Sequence, residues 1–208
     1  MGDQISTSPR ERYRQQVRSE VQERAWEQIA DAGASALSLK AIAKQMGMTA
    51  PALYRYYASR DDLLTELILA AYRDLADVVE TAAAAARKSA PPVRLTAIAQ
   101  AFRDWALADT HRYLLIYGTP VPGYQAPLEA TTLATRIFTP IMDCFGATWP
   151  QDAASTSPDR AMRASLLFWT RLHGLLSLEA AGHFAGMPFE PAALYAEEVD
   201  SLIQLALI

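Results

Sequence analysis

Cysteine occurs once in this chain of 208 residues, as Cys144, which excludes an intrachain disulfide and leaves a buried structural thiol as its expected role. Histidine is almost as scarce. Its three copies, His111, His173 and His183, fall at no spacing typical of zinc or di-iron ligands. Glu179 and His183 stand at i, i+4, but two potential ligands do not make a site, so no metal and no cofactor is expected. Also missing are a nucleophile–base pair, carboxylates at productive spacing and a phosphate-binding loop, so no residue has a catalytic assignment. No apolar run reaches the ~18 residues of a membrane span. The polar N-terminus lacks the apolar core of a signal peptide, and the loose myristoylation pattern of residues 1–6 is spoiled by Asp3 beside Gly2. A cytoplasmic protein with no membrane partner is expected.

A net charge of −4 argues against indiscriminate nucleic-acid binding, but the charge is unevenly spread. Residues 1–60 hold nine Lys/Arg against six Asp/Glu, a balance of +3, so the remaining 148 residues carry −7. A basic amino end on an acidic body fits a small nucleic-acid-binding head joined to a larger regulatory part. At 51% apolar and 20% charged residues, the balance is that of an ordinary globular protein.

Helical periodicity runs almost throughout, and no segment reads as a strand. Breaks at Gly33, Gly47, Pro91-Pro92 and the Gly118-Thr-Pro-Val-Pro-Gly123 turn predict an all-α fold of about nine helices. These span about 9–32, 38–46, 49–57, 59–86, 93–108, 111–117, 127–145, 157–182 and 191–208. Residues 146–157 read as a mobile loop, and Ser157-Pro158-Asp159 as a helix start.

Residues 38–57 are the most informative stretch. Ser38 is a good N-cap, Leu39, Ile42 and Met46 recur at helical spacing, and Gly47 sits where the helix must stop and turn. Thr49 is the next N-cap, with Pro51 tolerated in the first turn. On the second helix, Leu53 and Tyr57 form a narrow apolar stripe. About 160–200° away lie Pro51 and Arg55, flanked by Ala52 and Tyr54, an outer face suited to a major groove. Read alone, such a pair is more often a structural element of a helical core than a DNA-binding one.

The surroundings shift that balance. Val21, Ala25, Trp26, Ile29, Ala30 and Gly33 are followed by Ser38, Leu39, Ile42, Ala43, Gly47, Met48, Thr49, Leu53, Tyr54, Tyr56, Tyr57, Ser59, Arg60, Asp61, Leu63 and Leu64. Over residues 20–64 this pattern resembles, without a gap, the N-terminal domain of the TetR/AcrR family of bacterial transcription regulators. Trp169-Thr-Arg-Leu-His173-Gly174-Leu-Leu-Ser-Leu-Glu179, preceded by Tyr117-Gly-Thr-Pro-Val-Pro-Gly-Tyr124, looks like the WHG-type C-terminal domain of some members. The resemblance implies a three-helix DNA-binding domain with a helix-turn-helix over 1–60 and a helical ligand-binding and dimerisation domain over 61–208. The implied function is sequence-specific binding of double-stranded DNA by a homodimer, as a repressor released from a palindromic operator by a small-molecule effector.

Carried over residue by residue, the resemblance assigns Lys40 to a base edge or phosphate, with a solvated lysine as the plain alternative. Thr49 caps its helix and can donate to a phosphate. Ala50, Pro51 and Ala52 match base-facing positions but offer only apolar contact, and Ala50 also lies toward the core side. Arg55 can bond guanine in bidentate fashion or pair with a phosphate. Tyr54 and Tyr56 match phosphate-binding positions, and Arg60 a family lysine that clamps phosphate. Tyr57 replaces a phenylalanine-like core residue, so its hydroxyl needs a partner. In the C-terminal part, Trp105, Tyr117, Tyr124, Phe168 and Trp169 line a ligand cavity or are plain core. His173 is either satisfied within the protein or meets a ligand. The last two helices are apolar on more than one side, which fits either dimerisation or a central place in the monomer. The residues leave two other classes open: a helical enzyme or carrier using the apolar C-terminal part, and a protein-interaction adaptor on a degenerate helix-turn-helix.

Overall fold

The structure is a computed structural model that describes residues 8–146 and 160–207. The expected loop beyond Gly146, the expected helix start at Ser157-Pro158-Asp159 and the pattern at residues 1–6 lie outside the described residues. Among those described, nine helices and one 3-10 turn appear and no strand. The helices are α1 (Pro9–Ala32), α2 (Leu39–Gln45), α3 (Ala50–Leu53), α4 (Arg60–Ala85), α5 (Pro91–Ala108), α6 (Thr110–Tyr117), α7 (Leu128–Phe145), α8 (Arg160–Ala180) and α9 (Pro191–Leu207), with the 3-10 turn at Ala34–Ala36. The expectation of an all-α fold of about nine helices holds.

Local chemistry sets the boundaries. Ser8 and Glu11 form a reciprocal capping box at the start of α1: the Glu11 amide donates to Ser8 Oγ at 3.2 Å, and the Ser8 amide to Glu11 Oε2 at 2.8 Å. Gly47, at φ 66°, ends α2. The Met48 amide reaches back to the Ala43 carbonyl at 2.8 Å and the Gly47 amide to that of Lys44 at 3.2 Å. This double closure needs a left-handed residue, which only glycine supplies without strain. Asp109 caps α6 by accepting from the amides of His111 and Arg112.

The chain divides into two compact units. The first holds residues up to Ile68 with Pro120–Ala126, and the second holds Leu69–Thr119 and the chain from Pro127 onward. This division falls inside α4, whereas the sequence suggests residue 60. The first turns of α4 belong to the head because Leu63, Leu64 and Leu67 are fully buried there with Val21 and Ala25 of α1 and Ile42 of α2. Glu66 adds a polar tie: it pairs with Arg18 and accepts from Gln22 Nε2 at 2.8 Å.

Two details of the first unit depart from expectation. The second motif helix, expected over 49–57, is a single α-helical turn, Ala50–Leu53. Beyond it the Tyr56 amide bonds the Leu53 carbonyl at 2.8 Å in the tighter i, i−3 pattern. Arg60 turns inward, donating from its guanidinium to the Ala34 carbonyl at 2.8 Å and the Leu37 carbonyl at 3.2 Å, and pairing with Asp61. It thereby ties the start of α4 to the segment that leads into α2.

The second unit packs around Phe102 of α5. Its ring is stacked on Trp169 at 4.9 Å and meets the edges or tilted faces of Tyr113, Tyr117 and His173 at 4.9–6.4 Å. A buried polar knot sits inside this cluster. Tyr113 Oη lies 3.1 Å from His173 Nδ1 and 2.7 Å from Ser177 Oγ, while His173 Nε2 is buried without a partner among the described residues. Cys144 is buried, and Arg103 grips Glu179 through both carboxylate oxygens, so Glu179 is committed to α5. No group of potential metal ligands forms among the described residues, and no helix is long and apolar enough to cross a membrane.

Burial pushes the His173 imidazole down from 6.5 to about 4. The unfolded chain therefore takes up this proton first on acidification: the stability is complete above pH 6.5 and is lost progressively between 6.5 and 4. At pH 5 this single group should cost about 2 kcal/mol. Urea midpoints at pH 7 and pH 5 check this. His173→Gln should shift much less between the two pH values than the unaltered chain, and an equal shift in both would contradict the assignment.

Candidate nucleic-acid interface and ligand cavity

The reading segment hangs from α1 by its underside. Leu53 and Tyr57 are buried at 0% and 2% exposure, and Tyr57 finds its partner in Gln22 Nε2 at 3.3 Å, with the Arg18 guanidinium 4.6 Å from its ring centroid. Arg18 also donates to the Tyr56 carbonyl at 3.2 Å, which fixes the main chain where the helix has already ended.

On the other side, Thr49, Pro51, Tyr54 and Arg55 are exposed, and Ala50, Ala52 and Tyr56 are half-buried. Thr49 Oγ1 caps α3 by accepting from the Ala52 amide at 3.4 Å. Lys40 is exposed in the first turn of α2, whose cap Ser38 accepts from the Ala41 amide. Arg60 does not join this exposed face, because its guanidinium is spent on main-chain carbonyls. In place of it, three residues not singled out from sequence appear beside the reading segment. Arg10, Tyr13 and Arg14 of α1 surround, with Arg55 and Tyr56, a concavity of about 410 Å³. Their i, i+3, i+4 spacing on one helix face is the sequence signal that could have grouped them.

A second concavity, of about 440 Å³, lies in the other unit. Tyr117 and Trp169, both expected at a cavity, line it, together with Thr131, Ala134, Thr135 and Phe138 of α7 and Met162 and Leu166 of α8. Every one of these side chains is uncharged. Thr135 Oγ1 donates back to the Thr131 carbonyl at 3.0 Å, so toward the cavity it has only lone pairs to offer. The other expected cavity residues lie elsewhere. Phe168 is fully buried against Phe145, and Trp105 packs on the core. Tyr124 belongs to the first unit, with its hydroxyl 3.0 Å from Thr65 Oγ1. His173 sits behind the cavity wall, 4.3 Å from the ring centroids of both Tyr117 and Trp169. Nothing in the sequence distinguishes an α7 residue that faces this space from one that faces the core.

Residues 23–67 match the family described as bacterial regulatory proteins, tetR family, and residues 95–202 match the tetracyclin repressor-like C-terminal domain. The HTH-type transcriptional regulator Rv1816 of Mycobacterium tuberculosis is 34% identical over 91% of this chain and 92% of its own length. The crystal structure of the protein SCO4313 is 50% identical, with a TM-score of 0.82 over 95% of this chain and 100% of that one. PfmR, a TetR family transcriptional regulator from Thermus thermophilus, shares the fold at 16% identity and a TM-score of 0.63, over 88% of this chain and 97% of that one. The chain therefore belongs to the TetR family and is a DNA-binding transcriptional regulator.

Proposed function

We propose that this regulator works in the cytoplasm as a homodimeric repressor that leaves a palindromic operator when a small molecule enters its C-terminal unit. The observation that carries the reading is the exposed edge of the reading segment: Pro51, Tyr54 and Arg55 project outward from a turn whose underside is anchored. The Arg55 guanidinium has no partner among the described residues. A guanidinium held free on a fixed main chain is preorganised to bond guanine O6 and N7. Pro51 and the flanking alanines offer methylene and methyl surface to thymine methyl groups, and Tyr54, Tyr56, Lys40 and Thr49 can hold phosphates. With few polar base readers, specificity is shared with the shape and bendability of the duplex.

One short reading segment makes too small an interface for tight operator binding, so two copies are needed. Leu167 and Leu178 of α8 are 47% and 44% exposed, and Leu205 of α9 is 59% exposed. Gly174 lies between Leu167 and Leu178 on the same helical face, and a Cβ built on it would meet nothing within 4 Å of its own chain. A second copy packed on this face, through the last two helices, buries these leucines and uses the gap at Gly174 for close approach.

The effector belongs in the 440 Å³ cavity, a size suited to a small organic molecule. With no charge on its described walls, a charged ligand would enter without compensation, so the effector is neutral and mainly apolar. Filling the cavity favours the protomer arrangement that does not fit the operator, a population shift.

Three outcomes test these points. Selection from random duplexes should yield a palindrome, and Arg55→Ala should weaken its binding by ~1–3 kcal/mol, about 5- to 150-fold, in fluorescence anisotropy. Unchanged affinity would remove Arg55 from the interface. Gly174→Glu should keep the circular dichroism of the folded chain yet sediment as a monomer at concentrations where the unaltered protein is a dimer. A dimer that persists would place the interface elsewhere. In calorimetry, 1-naphthol should bind and 1-naphthoate, the same ring system with a carboxylate, should bind at least about tenfold more weakly. Equal affinity would reject the neutral-ligand reading, and Ala134→Phe, which fills the cavity, should abolish naphthol binding.

A further inference from the structure

We propose that the first two turns of α1 form a phosphate clamp: Arg10, Tyr13 and Arg14, with Tyr56 of the reading segment, grip the sugar-phosphate backbone beside the groove that Arg55 enters. This deepens, and rests on, the DNA-binding reading above. Three observations point to it.

The first is the donor set. Among the described residues the 410 Å³ concavity is walled by three guanidiniums and two phenols, and no carboxylate lines it. Arginine offers only N–H donors, five on each planar group, so the matching ligand is rich in acceptor oxygens and negatively charged. A phosphodiester meets that description, and its tetrahedral oxygens suit bidentate guanidinium contacts.

The second is that these cations are uncommitted while their neighbours are not. Arg10, Arg14 and Arg55 pair with no described residue. Glu11, the nearest carboxylate in the helix, is held by the Ser8 amide at 2.8 Å. Arg18, one turn beyond Arg14, is fixed to Glu66 and to the Tyr56 carbonyl. Fixing Arg18 in this way holds Arg14 and Arg55 at the rim of one concavity. Tyr13 is 64% exposed although it is large and aromatic, which an isolated fold does not favour.

The third concerns Arg60, the phosphate contact expected at the start of α4. Arg60 is turned onto the carbonyls of Ala34 and Leu37. The α1 cluster supplies the positive charge that Arg60 does not present.

The test is a salt titration of the full-length protein on two duplexes, the selected palindrome and a scrambled sequence of equal length, followed by fluorescence anisotropy. The double variant Arg10→Ala/Arg14→Ala should lose affinity for both duplexes by a similar factor. Its plot of log affinity against log salt should become shallower by ~1.8 for each bound head, the release of two phosphate contacts. Arg10→Lys/Arg14→Lys should keep most of the slope, because the charge remains. Inorganic phosphate, at ionic strength matched with chloride, should displace DNA no better than chloride does. An unaltered slope overturns the clamp, as does a loss confined to the palindrome, which would make these residues base readers. Selective displacement by inorganic phosphate also overturns it, making the pocket a free-phosphate site. If Arg55→Ala abolishes palindrome binding while the α1 double variant binds normally, the clamp alone fails. If neither affects binding, the DNA-contacting face itself is misassigned.

Discussion

The grip of Glu66 on Arg18 and Gln22 is the constraint on which the head depends. An α-helical turn of four residues, Ala50–Leu53, cannot hold its own shape in water, because nucleation costs more than so few hydrogen bonds return. Its shape is set from below. Leu53 and Tyr57 enter the core, and the segment's main chain is caught at the Tyr56 carbonyl by the same guanidinium that Glu66 orients. Gln22 joins the two halves of this arrangement, donating to Glu66 Oε1 at 2.8 Å and lying 3.3 Å from Tyr57 Oη. Arg18 and Glu66 are about 30% exposed, so their pair is screened less than a surface pair, and the shared hydrogen bonds make it a network rather than an isolated contact.

That arrangement changes how the reading segment meets DNA. A helix running to Tyr57 would present side chains at regular angles along its length. Here the α-helix stops at Leu53, and Tyr54, Arg55 and Tyr56 lie on a turn in which the Leu53 carbonyl accepts from the amides of both Tyr56 and Tyr57. Tyr54 and Arg55 are therefore aimed by the position of α1, through Arg18, as much as by their place in the helix. Substitutions on the buried side of α1 would then alter DNA recognition without touching DNA.

Much of this architecture is legible in the sequence because it rests on local chemistry. Gly47 at the turn, Thr49 and Ser38 as caps, and the prolines at helix starts act within four residues of where they stand, so spacing alone reveals them. Arg60 shows where that legibility stops. It occupies a position that reads as a phosphate contact, yet two carbonyls more than twenty residues away in sequence claim it. Tyr124 and Phe168 fail to reach the cavity for the same reason: an aromatic residue declares its wish to be buried but not which neighbours will cover it. The helical spacing of Thr131, Ala134, Thr135 and Phe138 along α7 shows a face, and only Tyr117 of α6 and the side chains of α8 around the same space make that face a cavity wall.

Charge shows the same division between composition and placement. In the second unit, Arg73, Arg103, Arg112, Arg136 and Arg171 are each paired with a carboxylate: Glu129, Glu179, Asp74, Asp77 with Glu80, and Glu198 respectively. In the first, Arg18, Arg24 and Arg60 are likewise engaged. Arg10, Arg14 and Arg55 pair with no described residue, and they share one concavity. A net charge of −4 conceals this, since the excess of carboxylates is spent elsewhere on arginines that hold helices together. What attracts a polyanion is the local field of unneutralised guanidiniums, which decays over about one Debye length, ~8–10 Å at moderate salt. An acidic protein can therefore bind DNA, provided that several unpaired arginines converge beside the turn that meets it.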